Sequence, residues 1–390
     1  MTRLRIPPVK AKPRDYTRLP WTEEYRAEFP TEKLQDLVLQ GVKEEDLRDY
    51  LFAEKLVDYR KSKVLVDAYK STQGIVRNDN EILLEINIPY CECKCIDCNR
   101  NLYQRHKSQD VYLYYFDALI KEIEQAKEII KQKCYIVKSI CFTGNLLALD
   151  EKELTQILSL CSYPLSEMCI ELGNPKFAVK EKLDIVKKYD NVRFIVNALT
   201  FNTVTLRKLC RRYEFKDVVE YYKLIKQYGF DLTVNFVAGL DGERYLQVSR
   251  NLKTAIELGA TCIDLYARNC KNNPKPDLVQ TSQIAEQRKV LELTNEFMQK
   301  SGFMPYFLYC TEVKNGCFEN IGYCLPNKKC KYMEDKVYGV STILGCGAET
   351  SSRIVKNMQK TVKTLKNNHD LGQYVMGIDE ILVKKKKFFN

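Results

Sequence analysis

The chain has 390 residues, 45% of them hydrophobic, enough for one large α/β domain and a smaller accessory region. Its net charge of +11 is spread thinly apart from four lysines at 384–387, and no basic stretch carries the interleaved aromatics of a nucleic-acid module, so no nucleic-acid partner is expected. No apolar run reaches the ~18 residues needed to span a bilayer, and residues 1–20 lack the apolar core of a secretory signal. The expectation is a cytoplasmic protein without a membrane partner. In that reducing setting its 16 cysteines are expected as thiols or metal ligands, not disulfides.

In chain order, residues 31–73 read as helices, with apolar positions recurring at three and four and glycines at 41 and 74 as stops. From residue 81 strands alternate with helices. EILLEINIP alternates as a strand, and VYLYYFDALIKEIEQAKEIIKQK is a long helix. CYIVKSICF is the next strand, and the following helix opens on Asp150 with Glu153 in capping-box spacing. MCIEL, VRFIVNAL, DLTVNFVAGL and CIDLY follow as strands, with helices near 176–188, 203–228 and 243–258. Six such units build a parallel sheet, open or closed as a barrel, with chemistry at the C-terminal strand ends. The expected division is a helical N-terminal region over 1–80, a (β/α)6 core over 81–280 and a C-terminal substrate-covering α/β extension over 281–390.

The stretch NIPYCECKCIDCNR sets four thiols into eight positions at the end of the first strand: Cys91, Cys93, Cys95 and Cys98. A structural zinc site would want a second, separated knuckle, and none exists beside the chain's two histidines. Four ligands from so short a loop are cramped, because neighbours two apart in an extended loop point opposite ways from those between them. Cys91, Cys95 and Cys98 alone spell C-x3-C-x2-C. Three thiolates can hold three irons of a [4Fe–4S] cluster and leave the fourth open to a substrate's amino and carboxylate groups. Cys310, Cys317, Cys324 and Cys330 recur at intervals of six or seven, either as thiolates of a second cluster or as unrelated small apolar residues.

The three-cysteine spacing resembles the signature of the radical S-adenosylmethionine (SAM) superfamily. Over roughly residues 20–355 the chain resembles the oxygen-independent coproporphyrinogen III oxidase group, its HemZ-type branch in particular. NIPYC is similar to that group's I-P-F-C, IELGNPK to E-A-G-R-P-D, RFIVNALTFN to R-I-S-I-N-P-Q-T-M-N, and NFVAGLDGE to D-L-I-x-G-L-P-G-E. Downstream, PYFLYCTEVKNGCFENIGYCLP and TILGCGAETSS resemble its P-Y-Y-L-Y-R-Q-K segment and its G-x-G-A element. The resemblance implies a partial (β/α)6 TIM-like barrel, a [4Fe–4S] cluster on Cys91, Cys95 and Cys98, and SAM lined by Gly144, Asn145, Glu171, Arg211 and Asn235. It also implies reductive cleavage of SAM to a 5′-deoxyadenosyl radical and oxidative decarboxylation of a porphyrinogen propionate. The implied partners are a tetrapyrrole or other small-molecule substrate and a reduced flavodoxin or ferredoxin, in an anaerobic setting. A non-catalytic cluster- or haem-binding relative is the alternative.

The departures from the family pattern gather at cofactor and substrate positions. The G-G-G-T-P loop after the second strand reads FTGNL, so Phe142 and Thr143 are expected to crowd the methionine end of SAM. Asn235 stands for an aspartate, Leu199 for a glutamine and Glu85 for a tyrosine. Cys310 and Glu312 replace two cations that a polyanionic substrate would want.

Overall fold

A computed structural model describes residues 78–91, 95, 109–240, 242–243, 245–267, 293–313, 316–356 and 360–390. The helices expected before residue 74, and with them nearly all of the 1–80 region, lie outside the described residues. The core runs β1 (Glu81–Ile88), α1 (Gln109–Gln132), β2 (Ile136–Gly144), α2 (Glu151–Leu160), β3 (Glu167–Leu172), α3 (Lys180–Val186) and β4 (Val192–Leu199). It continues through α4 (Thr203–Lys208), α5 (Phe215–Gln227), β5 (Asp231–Ala238), α6 (Tyr245–Glu257) and β6 (Cys262–Ala267). β1 to β6 are parallel and lie side by side in chain order.

The remaining strands extend both edges of the same sheet. β7 (Met304–Val313) and β8 (Gly316–Cys324) form a hairpin whose β8 strand lies antiparallel to β6. On the other side β9 (Thr342–Cys346) lies parallel to β1, followed by β10 (Ser351–Lys356) and β11 (Lys360–Lys366). The chain then forms α8 (Leu371–Met376) and α9 (Ile378–Phe389).

Period-two alternation sorts the side chains into two clusters. Ile82, Leu84 and Ile86 of β1 join the large outer core beneath the helices. Leu83 faces the other way, with Cys141, Cys169, Ile195 and Cys262 from the neighbouring strands, in a separate inner cluster. That inner face is the lumen of a partial barrel. The short helix α7 (Lys331–Tyr338) fills its lower half, placing Tyr332, Met333 and Val337 against the inner strand residues. Gly339, in the left-handed region at φ 65°, ends this helix.

Local signals account for most boundaries. Asp150 and Glu153 form the expected reciprocal capping box at the start of α2. The single helix expected over 203–228 is instead two, because α4 closes in a Schellman turn. The Cys210 N–H donates to the Arg207 carbonyl at 3.0 Å and the Arg211 N–H to that of Leu206 at 2.9 Å. Cys210 occupies the left-handed position, φ 58°, that glycine usually takes.

A buried charge joins the last helix to the sheet. Glu122 of α1 and Lys385 of α9 form an ion pair with neither side chain exposed. Glu122 also accepts from the Tyr374 hydroxyl at 2.6 Å, the Asn367 amide at 2.8 Å and the Gly347 N–H at 2.6 Å. Replacing Lys385 with methionine strands the carboxylate away from water. The expected loss is about 3–5 kcal/mol of unfolding free energy in urea denaturation. Lys384→Ala, which removes a surface lysine paired with Glu380, should stay within about 0.5 kcal/mol.

Candidate functional site

The C-terminal strand ends converge on one mouth of the lumen. After Ile88 the chain turns sharply, with the Tyr90 N–H donating to the Ile88 carbonyl at 2.8 Å. Tyr90 is buried against Tyr112 at 4.5 Å and Tyr115 at 5.9 Å between ring centroids, which fastens the start of the cysteine loop to α1. Cys91 is buried and Cys95 half-buried. Cys93 and Cys98 lie outside the described residues.

The end of β2 comes close to the base of that loop. Gly144 has φ 84°, and a Cβ there would stand 2.2 Å from the Ile88 carbonyl oxygen. Only glycine permits this approach. The Asn145 N–H donates to the same carbonyl at 3.0 Å. The Gly144 N–H donates to Glu171 Oε2 on β3 at 3.0 Å. Asn145 is fully buried, yet neither end of its side-chain amide meets a hydrogen-bond partner among the described residues. Buried amides are seldom left so, and this one is poised to hold a polar ligand.

Across the mouth, the Schellman turn swings Arg211 back onto β4. Its guanidinium donates to the Asn197 carbonyl at 3.3 Å and the Tyr213 hydroxyl at 2.9 Å. A bulge between Asn197 and Leu199 ends the strand, with Leu199 at φ 62°. Asn235 donates from its amide to Asn197 Oδ1 at 2.8 Å, while its own Oδ1 has no partner among the described residues. Gly144, Asn145, Glu171 and Arg211 therefore lie at the C-terminal ends of β2 to β4 or just beyond them, and Asn235 lies three residues inside the end of β5.

Two sequence expectations change in detail. Phe142 does not crowd the site: alternation sends it into the outer core, fully buried. Only Thr143 of the altered glycine loop faces inward, where its hydroxyl donates to Asn87 Oδ1 at 3.2 Å. Glu85, where the family pattern has tyrosine, accepts from the Tyr332 hydroxyl at 2.7 Å and Lys336 at 2.8 Å. The departure at that position is thus matched by partners on α7.

The second cysteine set does not assemble. Cys324 and Cys330 are buried in the lumen. Cys310 pairs with Glu319 and Cys317 with Glu312, whereas Cys324 pairs with Met304. At about 3.4 Å per strand residue, that sets Cys310 and Cys317 roughly 20 Å along the hairpin.

Asp264 on β6 carried no motif and escaped the sequence reading. It is the register partner of Asn235, fully buried, and accepts from the Tyr306 hydroxyl at 3.0 Å. Burial pushes its carboxyl up to about 7, although the Tyr306 hydrogen bond pulls the other way. It can hold or release a proton near neutrality beside the candidate SAM residues. A cavity of about 580 Å³ opens at the opposite, N-terminal mouth, lined by residues such as Lys138, Lys329 and Glu334. Chemistry in parallel β/α sheets sits at the C-terminal ends, so that cavity is separate from this site.

Residues 88–253 match the radical SAM superfamily. The chain carries a radical SAM domain. It is 22% identical over 378 residues to the oxygen-independent coproporphyrinogen-III oxidase-like protein HemZ of Bacillus subtilis (strain 168), covering 92% of this chain and 75% of that protein. It is 23% identical over 322 residues to the heme chaperone HemW of Buchnera aphidicola subsp. Schizaphis graminum (strain Sg), covering 79% of this chain and 80% of that one. Among solved structures, coproporphyrinogen III oxidase (HemN) from Escherichia coli, a radical SAM enzyme, aligns with a TM-score of 0.60 at 16% identity, over 80% of this chain and 72% of that one. That likeness establishes the shared fold. The superfamily uses a [4Fe–4S] cluster and SAM. Cys91 and Cys95 supply thiols of the kind a cluster takes, and the Asn145 amide, without a partner among the described residues, and the Glu171 carboxylate are polar groups of the kind SAM takes. Among the described residues no helix is long and apolar enough to cross a membrane.

Two outcomes follow from this geometry. Gly144→Ala forces a β-carbon into backbone at a left-handed φ, so it should lower stability by at least about 2 kcal/mol in thermal unfolding. Asp264 binds its proton more tightly folded than unfolded. Its contribution is therefore complete below about pH 4 and lost as pH rises through about 7. Relative to Asp264→Asn, the wild type should lose about 2 kcal/mol between about pH 5.5 and about pH 8, read from urea denaturation at each pH.

Proposed function

We propose that this protein is a radical SAM oxidoreductase of the oxygen-independent coproporphyrinogen III oxidase type. The observation that carries the reading is that Cys91 at the end of β1, the Gly144–Glu171 contact and the Asn145 amide, unpartnered among the described residues, share one mouth of a parallel sheet. When bound, the cluster and SAM supply the electron transfer and carbon-centred radical chemistry by which the family removes a hydrogen atom from a substrate.

The chain's own residues have distinct tasks in this reading. Cys91, Cys95 and Cys98 provide the iron-binding thiolates. Gly144 and Asn145 present backbone and amide to the methionine end of SAM. Glu171 offers its second oxygen to the ribose, and Arg211, held by Asn197 and Tyr213, orients the cofactor from the far side. Asn235 contributes a free carbonyl oxygen beside them. The substrate class is a porphyrinogen or related small tetrapyrrole losing a propionate carboxyl, with reduced flavodoxin or ferredoxin as electron donor in an anaerobic cytoplasm. Residues 281–390 then serve as the substrate-covering region.

A second reading is a cluster- or haem-binding relative without catalysis. Thr143 in the inward glycine position and the likeness to a protein named as a heme chaperone favour it. One anaerobic experiment separates the two: reconstitute the cluster, add SAM and dithionite, and assay 5′-deoxyadenosine beside Cys95→Ala. The expected result is product from the wild type alone, with Asn145→Ala binding SAM roughly tenfold more weakly, the loss of about one buried hydrogen bond. A bound cluster with neither SAM binding nor cleavage overturns the first reading for the second.

A further inference from the structure

Towards the N-terminal ends of the strands, at the opposite end of the lumen from the cysteine loop, a second donor set comes together from distant parts of the chain. Glu167 and Cys169 project inward from β3, and Cys330 stands at the N-cap position of α7 without a side-chain cap hydrogen bond. All three are buried, and their ligand atoms lie within 4.8 Å of one another. The Cys169 and Cys330 sulfurs are 3.8 Å apart, and Glu167 Oε2 lies 3.4 Å from the first and 3.6 Å from the second. We propose that Glu167, Cys169 and Cys330 bind a thiophilic divalent cation, zinc by its chemistry, as a structural site that staples α7 to the barrel.

The three separations match one face of a tetrahedral zinc site. Zn–S bonds of about 2.3 Å and a Zn–O bond of about 2.0 Å at tetrahedral angles put sulfurs about 3.8 Å apart and sulfur from oxygen about 3.5 Å. The surroundings already orient the ligands as metal sites require. Arg193 donates to Glu167 Oε1 at 2.8 Å, leaving Oε2 turned to the thiols, and the Tyr332 N–H donates to Oε2 at 3.1 Å. Cys141, register partner of Cys169 on β2, touches its thiol but lies outside the group of three, so the fourth position falls to water.

Charge supports the same ion. Two thiolates and one carboxylate against a dication leave one negative charge, which the buried Arg193 guanidinium neutralises. Binding displaces two thiol protons to solvent and changes no oxidation state. Solvent comes close to the three ligands. The 580 Å³ cavity at the N-terminal mouth is lined by Ser166, Lys329 and Lys331, the chain neighbours of Glu167 and Cys330. This inference stands apart from the SAM reading, because none of its ligands belongs to that site.

The test is metal analysis of the full chain, purified without chelator, as wild type, Cys95→Ala, Cys169→Ser and Cys330→Ser. About one zinc per chain is expected in the wild type and in Cys95→Ala. Each serine variant should retain roughly tenfold less while keeping the iron of the other site. Serine is itself a good helix N-cap, so Cys330→Ser keeps the start of α7. A second readout does not depend on those variants folding: Co2+ added to zinc-stripped Cys95→Ala should give a thiolate-to-cobalt charge-transfer band that stoichiometric Zn2+ abolishes. Zinc at buffer level in the wild type, zinc retained by both serine variants, or a Cys169–Cys330 disulfide in place of metal would each overturn the proposal.

Discussion

The carboxylate of Glu122 is the point from which the candidate site is hung. It sits in α1 with no exposure to water, so its charge must be answered within the protein. Lys385 answers it from the last helix, and Tyr374, Asn367 and the Gly347 N–H complete the set. Holding Gly347 fixes the turn at the end of β9, and there the Ala348 carbonyl receives the Asn87 amide at 2.7 Å. The Asn87 carbonyl in turn accepts from the Tyr115 hydroxyl at 2.8 Å, and Tyr115 packs edge-on against Tyr90. One residue later comes Cys91. A chain of contacts thus runs from a C-terminal lysine to the first thiol of the loop, and the glycine element beside it is as much part of the loop's foundation as β1 itself.

The lumen is divided by polarity and by purpose. Its lower half is filled, with Arg193 reaching Glu167, Thr233, Thr261 and the Lys328 carbonyl, so that a buried cation donates to acceptors from four separate parts of the chain. Its upper half keeps groups without a partner among the described residues, the Asn145 amide and the Asn235 oxygen among them. A protein interior seldom leaves such groups idle, and here they stand at the strand ends where this class of sheet places its ligands. Stability is invested below and ligand capacity above.

What the sequence discloses follows the range of each interaction. Strands β1 to β6 are legible because burial on both faces makes near-continuous apolar runs, and the capping box of α2 is local. The C-x3-C-x2-C spacing is likewise a local pattern. The break between α4 and α5 is hidden, because Cys210 holds a left-handed turn without the glycine that would announce it. The direction of Phe142 depends on strand phase, which a motif comparison ignores. Asp264 is one polar residue in an apolar strand, and its altered proton affinity comes only from burial. The meeting of Cys169 with Cys330, 161 residues apart, has no local signature, and the regular spacing of Cys310, Cys317, Cys324 and Cys330 points away from it.

The filling of the lumen by α7 also orders events during synthesis. β6 ends at Ala267, and the helix that closes the inner face begins at Lys331. Until that later stretch has left the ribosome, the inner strand surface with Cys141, Cys169 and Cys262 lacks the cover that α7 gives it. A half-made barrel with open thiols and an uncovered Arg193–Glu167 pair is prone to misassociation, and its closing contacts have the long loops that slow folding. The thiols of the inner face are therefore most open to oxidation before α7 arrives.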